Sequence, residues 1–184
     1  MSLAPVFLPG ALTEADCVRL ILATESTPLR DAGLVRAGAG QDLRRAEVAW
    51  ADGLPGCDWL MPQAMRLVAE ANKDSFGLDL TDFGESAQIA RYSAERAGHF
   101  GWHSDIGAGT WAARRKLTIV VQLSQPQDYD GGALEIWPDA SVVTAPKARG
   151  LATIFPSFQL HRVTPVTAGT RWSLTLWSHG PAFR

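Results

Sequence analysis

The chain has 184 residues, of which 46% are hydrophobic and 20% charged, with a formal net charge of −2 at pH 7. That is the composition of one soluble globular domain, long enough to bury its own core and without an overall basic field for nucleic acid or anionic lipid. No stretch approaches the roughly 18 consecutive apolar residues of a membrane span, and the N-terminal MSLAPVFLPGALTEAD lacks the features of a secretory leader, so the expectation is a cytoplasmic protein.

In chain order, Thr13 followed three residues on by Asp16 resembles a capping box, and Val18, Ile21 and Leu22 then recur at helical spacing, which predicts a helix over 13–25. Cys17 and Cys57 are far apart and outside any CxxC pair, and read as buried free thiols rather than a disulfide framework or zinc ribbon. The segment 28–55 is rich in Gly and Arg and carries no assignable pattern. Ala64, Met65, Val68 and Ala71 mark the apolar face of a second helix over 59–73, with Pro62 in its first turn.

From about residue 84 the pattern changes to short runs with strand character at 86–92, 116–124, 133–137, 141–144, 151–155 and 171–178. Gly131-Gly132, Pro138-Asp139, Pro146 and Gly169-Thr170 supply turns between them. The expected fold is mainly β with N-terminal helices: a single domain over 1–184, with 1–83 as helical support around a cupin-like jelly-roll core at 84–184.

The strand RWSLTLW is informative because side chains alternate faces along a strand. Arg171, Ser173, Thr175 and Trp177 share one face, and Trp172, Leu174 and Leu176 the other. A cation turned into the barrel interior is expensive when unpaired, so an anion should meet Arg171, unless it sits at a water-exposed rim.

In HFGWHSDIG at 99–107, His103 and Asp105 are two residues apart and project to the same side of an extended segment. Alone this pair is equally a hydrogen-bonded couple at a turn. His161, at the end of an apolar run, supplies a second histidine, and two histidines with one carboxylate form a facial triad suited to non-haem Fe(II) with open positions. A structural zinc site would want a closed tetrahedron, usually with thiolates. His99 lies four before His103, but Gly98 and Gly101 disfavour the helix that would align the two, so His99 reads as a bystander near the entrance.

HSD at 103–105, the His161-to-Arg171 spacing, GGALEIW at 131–137 and LHRVTPVTAGTR at 160–171 resemble the Fe(II)- and 2-oxoglutarate-dependent dioxygenases, specifically the prolyl 4-hydroxylase and PKHD-type hydroxylase group. The resemblance covers residues 84–184 and implies a double-stranded β-helix core. It implies that His103, Asp105 and His161 bind Fe(II), and that Arg171 pairs with the distal carboxylate of 2-oxoglutarate, with Ser173 sharing it. Tyr92 resembles a tyrosine directed at the cosubstrate, with a core tyrosine as the alternative. Thr118 and Gln122, on one face of the next core strand, are further candidates for that pocket.

The implied reaction consumes O2 and 2-oxoglutarate, releases succinate and CO2, and hydroxylates a C–H bond, with L-ascorbate as a reductant. The implied substrate is a prolyl or other amino-acid side chain of a peptide or protein, with a free amino acid or metabolite as the alternative. Its selection is expected in the loops 30–57, 106–115 and 125–131, with Trp102, Trp111 and Arg115 as wall residues. Two rival classes stand beside this: a cupin-like metalloenzyme without 2-oxoglutarate, and a non-catalytic sensor of metal and oxo acid. Monomer and homodimer are both compatible with the sequence.

Overall fold

The structure, a computed structural model, describes residues 3–32 and 43–183. Its first helix, α1 (Glu14–Glu25), starts at Thr13, whose side-chain oxygen accepts the Asp16 N–H at 3.1 Å while the Asp16 carboxylate turns back to Thr13. The helix is where its capping box predicts, but the buried face is Cys17, Leu20 and Thr24, and Val18 and Leu22 are exposed. α2 (Leu60–Ala71) carries Pro62 in its first turn and buries Leu60, Ala64, Val68 and Ala71, leaving Met65 to solvent. Among the described residues no helix is long and apolar enough to cross a membrane. Both cysteines are buried free thiols, and burial pushes the Cys17 thiol up to about 11.

The strands form two antiparallel sheets. The larger contains β1 (Val6–Leu8), β2 (Arg30–Asp31), β4 (Glu47–Trp50), β5 (Gln88–Ser93), β7 (Arg115–Gln122), β11 (Ala152–Pro156) and β13 (Val166–His179), in the order β1-β11-β7-β13-β5-β4-β2, with β8 (Tyr129–Gly131) paired to the start of β13. The smaller contains β3 (Arg44–Arg45), β6 (His99–His103), β9 (Leu134–Trp137), β10 (Val143–Thr144) and β12 (Leu160–Val163), in the order β10-β9-β12-β6-β3.

Alternation sorts the core into two layers. Ile89, Leu117, Ile119, Val121, Trp172, Leu174 and Leu176 face outward from the larger sheet and pack against α1 and α2. Ala90, Tyr92, Val120 and Phe155 face the opposite way, toward Leu134, Ile136 and Val163 of the smaller sheet. The mainly β architecture and the jelly-roll core match the expectation, and the reading of 1–83 as helical support is incomplete. β1 to β4 all come from that region and extend the edges of both sheets. β6 and β12, which carry the two candidate histidine ligands, are strands as well.

Candidate active site

β6 and β12 bring His103 opposite His161. A bulge separates that pair from the next, Phe100 opposite Val163, so three residues of β6 are matched by two of β12. The extra residue turns Phe100 and His103 to the same side, and their rings stack at 3.5 Å between centroids. His99 stays outside this cluster, with its Nδ1 2.8 Å from the Ala97 carbonyl oxygen.

Each of the two facing imidazoles has Nδ1 against a backbone carbonyl, His103 on Gly101 at 2.8 Å and His161 on Gln159 at 3.0 Å. A carbonyl only accepts, so Nδ1 carries the proton and Nε2 keeps its lone pair for a metal. These Nε2 atoms lie 3.6 and 3.5 Å from the two Asp105 carboxylate oxygens, too long for a good hydrogen bond, which argues against the simple bonded couple at a turn. The ligand atoms of His103, Asp105 and His161 all lie within 4.8 Å of one another.

Asp105 follows β6 and is held by its N–H on the Ser157 carbonyl at 2.9 Å. Its Oδ2 accepts from Thr118 Oγ1 at 2.7 Å and from Trp177 Nε1 at 2.9 Å. Oδ1, with no such donor, is left toward His103. Burial pushes the Asp105 carboxyl up, but His161, His103 and the two donors outweigh it and hold the group below the usual carboxylate range. Burial and the neighbouring His161 push the His103 imidazole down to about 4 against the pull of Asp105, so it is neutral at pH 7. Two imidazoles with Nε2 turned inward and one carboxylate are a donor set that fits Fe(II).

Deeper in the same layer, Arg171 is fully buried, and no carboxylate pairs with it among the described residues. Its Nη1 donates to Ser173 Oγ at 3.3 Å, its guanidinium lies 5.4 Å from the centre of the Tyr92 ring, and its Nε and Nη2 have no partner. Gln122, opposite Ser173 across β7 and β13, has both amide atoms buried and unpartnered. A buried cation beside unsatisfied donors is costly unless an anion completes the site, and a carboxylate fits both the charge and the donors. Tyr129, which the sequence reading passed over, lies here too with a buried, unpartnered hydroxyl. Only a turn was visible around it in QPQDYDGG.

Two candidate residues sit elsewhere than expected. Thr118 bonds Asp105, so its hydroxyl lies at the triad, away from Gln122 and the Arg171–Ser173 pair. Arg115 is no free wall residue: Nε donates to Glu85 at 2.6 Å, Nη1 to the Asp105 carbonyl at 3.1 Å, and its guanidinium lies 3.9 Å from the centre of the Trp177 ring. Glu85 in turn lies 2.9 Å from Nε2 of the fully buried His179, whose Nδ1 accepts the Gly84 N–H. Burial raises the Glu85 carboxyl, but Arg115 and His179 outweigh that and hold it below its ordinary range. Trp111 is 42% exposed, with its ring set edge-to-face against His179.

Residues 87–179, from β5 to the end of β13, match the model of the 2OG-Fe(II) oxygenase superfamily. A PKHD-type hydroxylase of Hyphomonas neptunium is 40% identical over 81 residues, covering 42% of this chain and 36% of that protein. A PKHD-type hydroxylase of Methylobacillus flagellatus is 27% identical over 92% of this chain and 75% of its own length. The first of these relatives is thus spanned over about a third of its length, and one from Sphingopyxis alaskensis over 45%.

In fold, the chain is similar to a Trichoplax adhaerens prolyl hydroxylase solved with a hypoxia inducible factor oxygen degradation domain peptide fragment, at a TM-score of 0.77 and 20% identity, covering 95% of this chain and 83% of that one. It is also similar to a Pseudomonas putida prolyl-4-hydroxylase, at 0.72 and 24%, covering 95% and 91%. With the motif-bearing strands β5 to β13 inside the matched region, the chain belongs to the 2OG-Fe(II) oxygenase superfamily.

Proposed function

We propose that the protein is an Fe(II)- and 2-oxoglutarate-dependent dioxygenase that hydroxylates an unactivated C–H bond, of a prolyl or other amino-acid side chain in a peptide or protein, and releases succinate and CO2. The observation that carries this reading is Arg171, fully buried with two unpartnered donor nitrogens, in the same layer as the His103, Asp105 and His161 cluster. A metalloenzyme that used the triad without an oxo diacid would have no use for that cation.

In this reading His103 Nε2, His161 Nε2 and Asp105 Oδ1 hold the metal, while Arg171, Ser173 and Gln122 hold the distal carboxylate, with the Tyr92 ring beneath the guanidinium. Bound there, Fe(II) and 2-oxoglutarate supply oxidation of a C–H bond by O2 coupled to decarboxylation of the oxo acid. The chain's own residues bind and orient. Thr118 and Trp177 fix the plane of the Asp105 carboxylate, and the Nδ1–carbonyl bonds fix both imidazole rings. Trp111 offers its exposed ring to the substrate. The peptide class is supported by the likeness to prolyl hydroxylases, one of them solved with a peptide fragment.

The test incubates protein with Fe(II), 2-oxoglutarate and O2 against proline-containing peptides, free amino acids and small metabolites. Succinate and mass spectra showing addition of one oxygen atom are the readouts. Product from peptides is expected, and product only from free amino acids or metabolites would move the substrate class. Oxo-acid binding without succinate would make the protein a sensor. Metal-loaded protein that neither binds 2-oxoglutarate nor forms succinate would overturn the reading.

A further inference from the structure

One wall of the Arg171 pocket is made by β8, in a stretch that the sequence reading gave to substrate selection. β8 lies against the start of β13, with Tyr129 opposite Gly169. The chain then turns through Gly131 and Gly132 with φ of +70° and +56°. A Cβ on Gly132 would stand 3.0 Å from Arg171 Cδ and 3.1 Å from Tyr129 Cε2. The guanidinium stem and the tyrosine ring edge therefore converge on one point, and only glycine leaves that point clear in this backbone conformation.

Tyr129 is 3% exposed. The Lys147 ammonium sits over its ring at 4.6 Å and donates to the Gly131 carbonyl at 2.7 Å, which pins ring and turn together. Arg171 Nε and Nη2, the Gln122 amide nitrogen and the Tyr129 hydroxyl are all buried donors without a partner among the described residues. Buried polar atoms are rarely left orphaned, and a group of them around one cation describes the outline of a missing acceptor.

We propose that Tyr129 is a further 2-oxoglutarate-binding residue, its hydroxyl donating to the distal carboxylate that Arg171 pairs with, and that Gly132 is the residue that lets the two reach one anion. This rests on the 2-oxoglutarate reading above. Burial pushes the Tyr129 phenol up, with Arg171 opposing, so the group stays protonated and is a donor at neutral pH. A carboxylate has about four acceptor sites, enough for Arg171, the Gln122 amide and the phenol together.

The test uses Tyr129→Phe, which removes only the oxygen, in Mn(II)-loaded protein without O2. Calorimetry gives dissociation constants for 2-oxoglutarate and for oxalate, which has the metal-binding end and lacks the distal carboxylate. A neutral donor lost from a charged acceptor should weaken 2-oxoglutarate about tenfold, leaving oxalate and Mn(II) binding at wild-type values. Because the hydroxyl makes no hydrogen bond of good geometry among the described residues, the ligand-free variant should melt no lower than wild type. A lower melting point would mark the hydroxyl as a structural group instead.

Wild-type 2-oxoglutarate affinity in Tyr129→Phe, or equal weakening of 2-oxoglutarate and oxalate, would overturn the inference. Arg171→Ala separates the two levels. If it loses 2-oxoglutarate while Tyr129→Phe does not, Tyr129 alone is misassigned, and if it keeps 2-oxoglutarate, the cosubstrate reading itself fails.

Discussion

Replacing Thr118 by valine keeps the shape of a fully buried side chain and deletes one oxygen. That oxygen serves two neighbours, Asp105 Oδ2 at 2.7 Å and Ser157 Oγ at 3.0 Å. A carboxylate only accepts, so the threonine proton goes to Asp105 and Ser157 is the donor to Thr118. The substitution therefore removes a hydrogen bond to a charged group, about 1.5–3 kcal/mol, and also orphans a buried serine hydroxyl. Trp177 still donates to the same Oδ2 at 2.9 Å, so the carboxylate is loosened and not released. Loss of one such outer partner typically weakens metal binding about 10–100-fold, and with Trp177 retained the lower end is expected. Titration of Mn(II) into the variant measures this, and urea denaturation of the metal-free form should show it about 2 kcal/mol less stable. A variant that binds metal like wild type but loses 2-oxoglutarate would refute the reasoning, because Thr118 would then line the cosubstrate pocket.

Arg115→Met should cost about 2–3 kcal/mol, less than a fully buried pair because both side chains keep some exposure, by stranding Glu85 with only His179; urea denaturation checks it, and a loss below about 1 kcal/mol would make the pair ornamental. Gly131→Ala would place a Cβ 2.1 Å from the Pro165 carbonyl oxygen at a φ of +70°. A drop of about 2 kcal/mol or more in unfolding free energy is expected, and a smaller one would show that the β8 turn yields easily. The His103 pKa is lowered from 6.5 to about 4, so the unfolded chain takes its proton first as pH falls. That contribution is fully present above pH 6.5 and lost toward pH 4, with about 2 kcal/mol gone by pH 5 in metal-free protein. Denaturation in EDTA across that range should show the decline, and a flat profile would contradict the burial of this imidazole.

The elements that were legible are those whose two faces differ chemically. β13 alternates a cation, two hydroxyls and an indole with Trp172, Leu174 and Leu176, and each set lies in the layer its chemistry demands. α1 was legible from its cap, but its face was not, because Val18 and Leu22 are as apolar as the residues that turn inward. The strands of the first half left no such trace. Arg30–Asp31, Arg44–Arg45 and Glu47–Trp50 are two to four residues long and sit at or next to sheet edges. They are strands because β4, β5 and β6 offer them partners, and pairing with a remote neighbour has no local period to read.

The same distinction decides what could be read of the site. Alternation along β7 places Thr118 and Gln122 on one face, and from the sequence both looked like walls of one pocket. Four residues of strand span about 13 Å, too far for both to reach one carboxylate. What separates them is the register with β13. Thr118 stands opposite Trp177, at the Asp105 end, and Gln122 opposite Ser173, at the Arg171 end. β7 and β13 are thus a ruler laid across the site, with Asp105 of the triad at one end and Arg171 at the other. Arg115 extends the same ruler past the metal end, where β7 begins and His179 lies opposite it. Its guanidinium therefore meets Trp177, Glu85 and the Asp105 carbonyl before it can meet a substrate. Residue type named Arg115 as a wall residue, and the register gives its guanidinium to Glu85 instead.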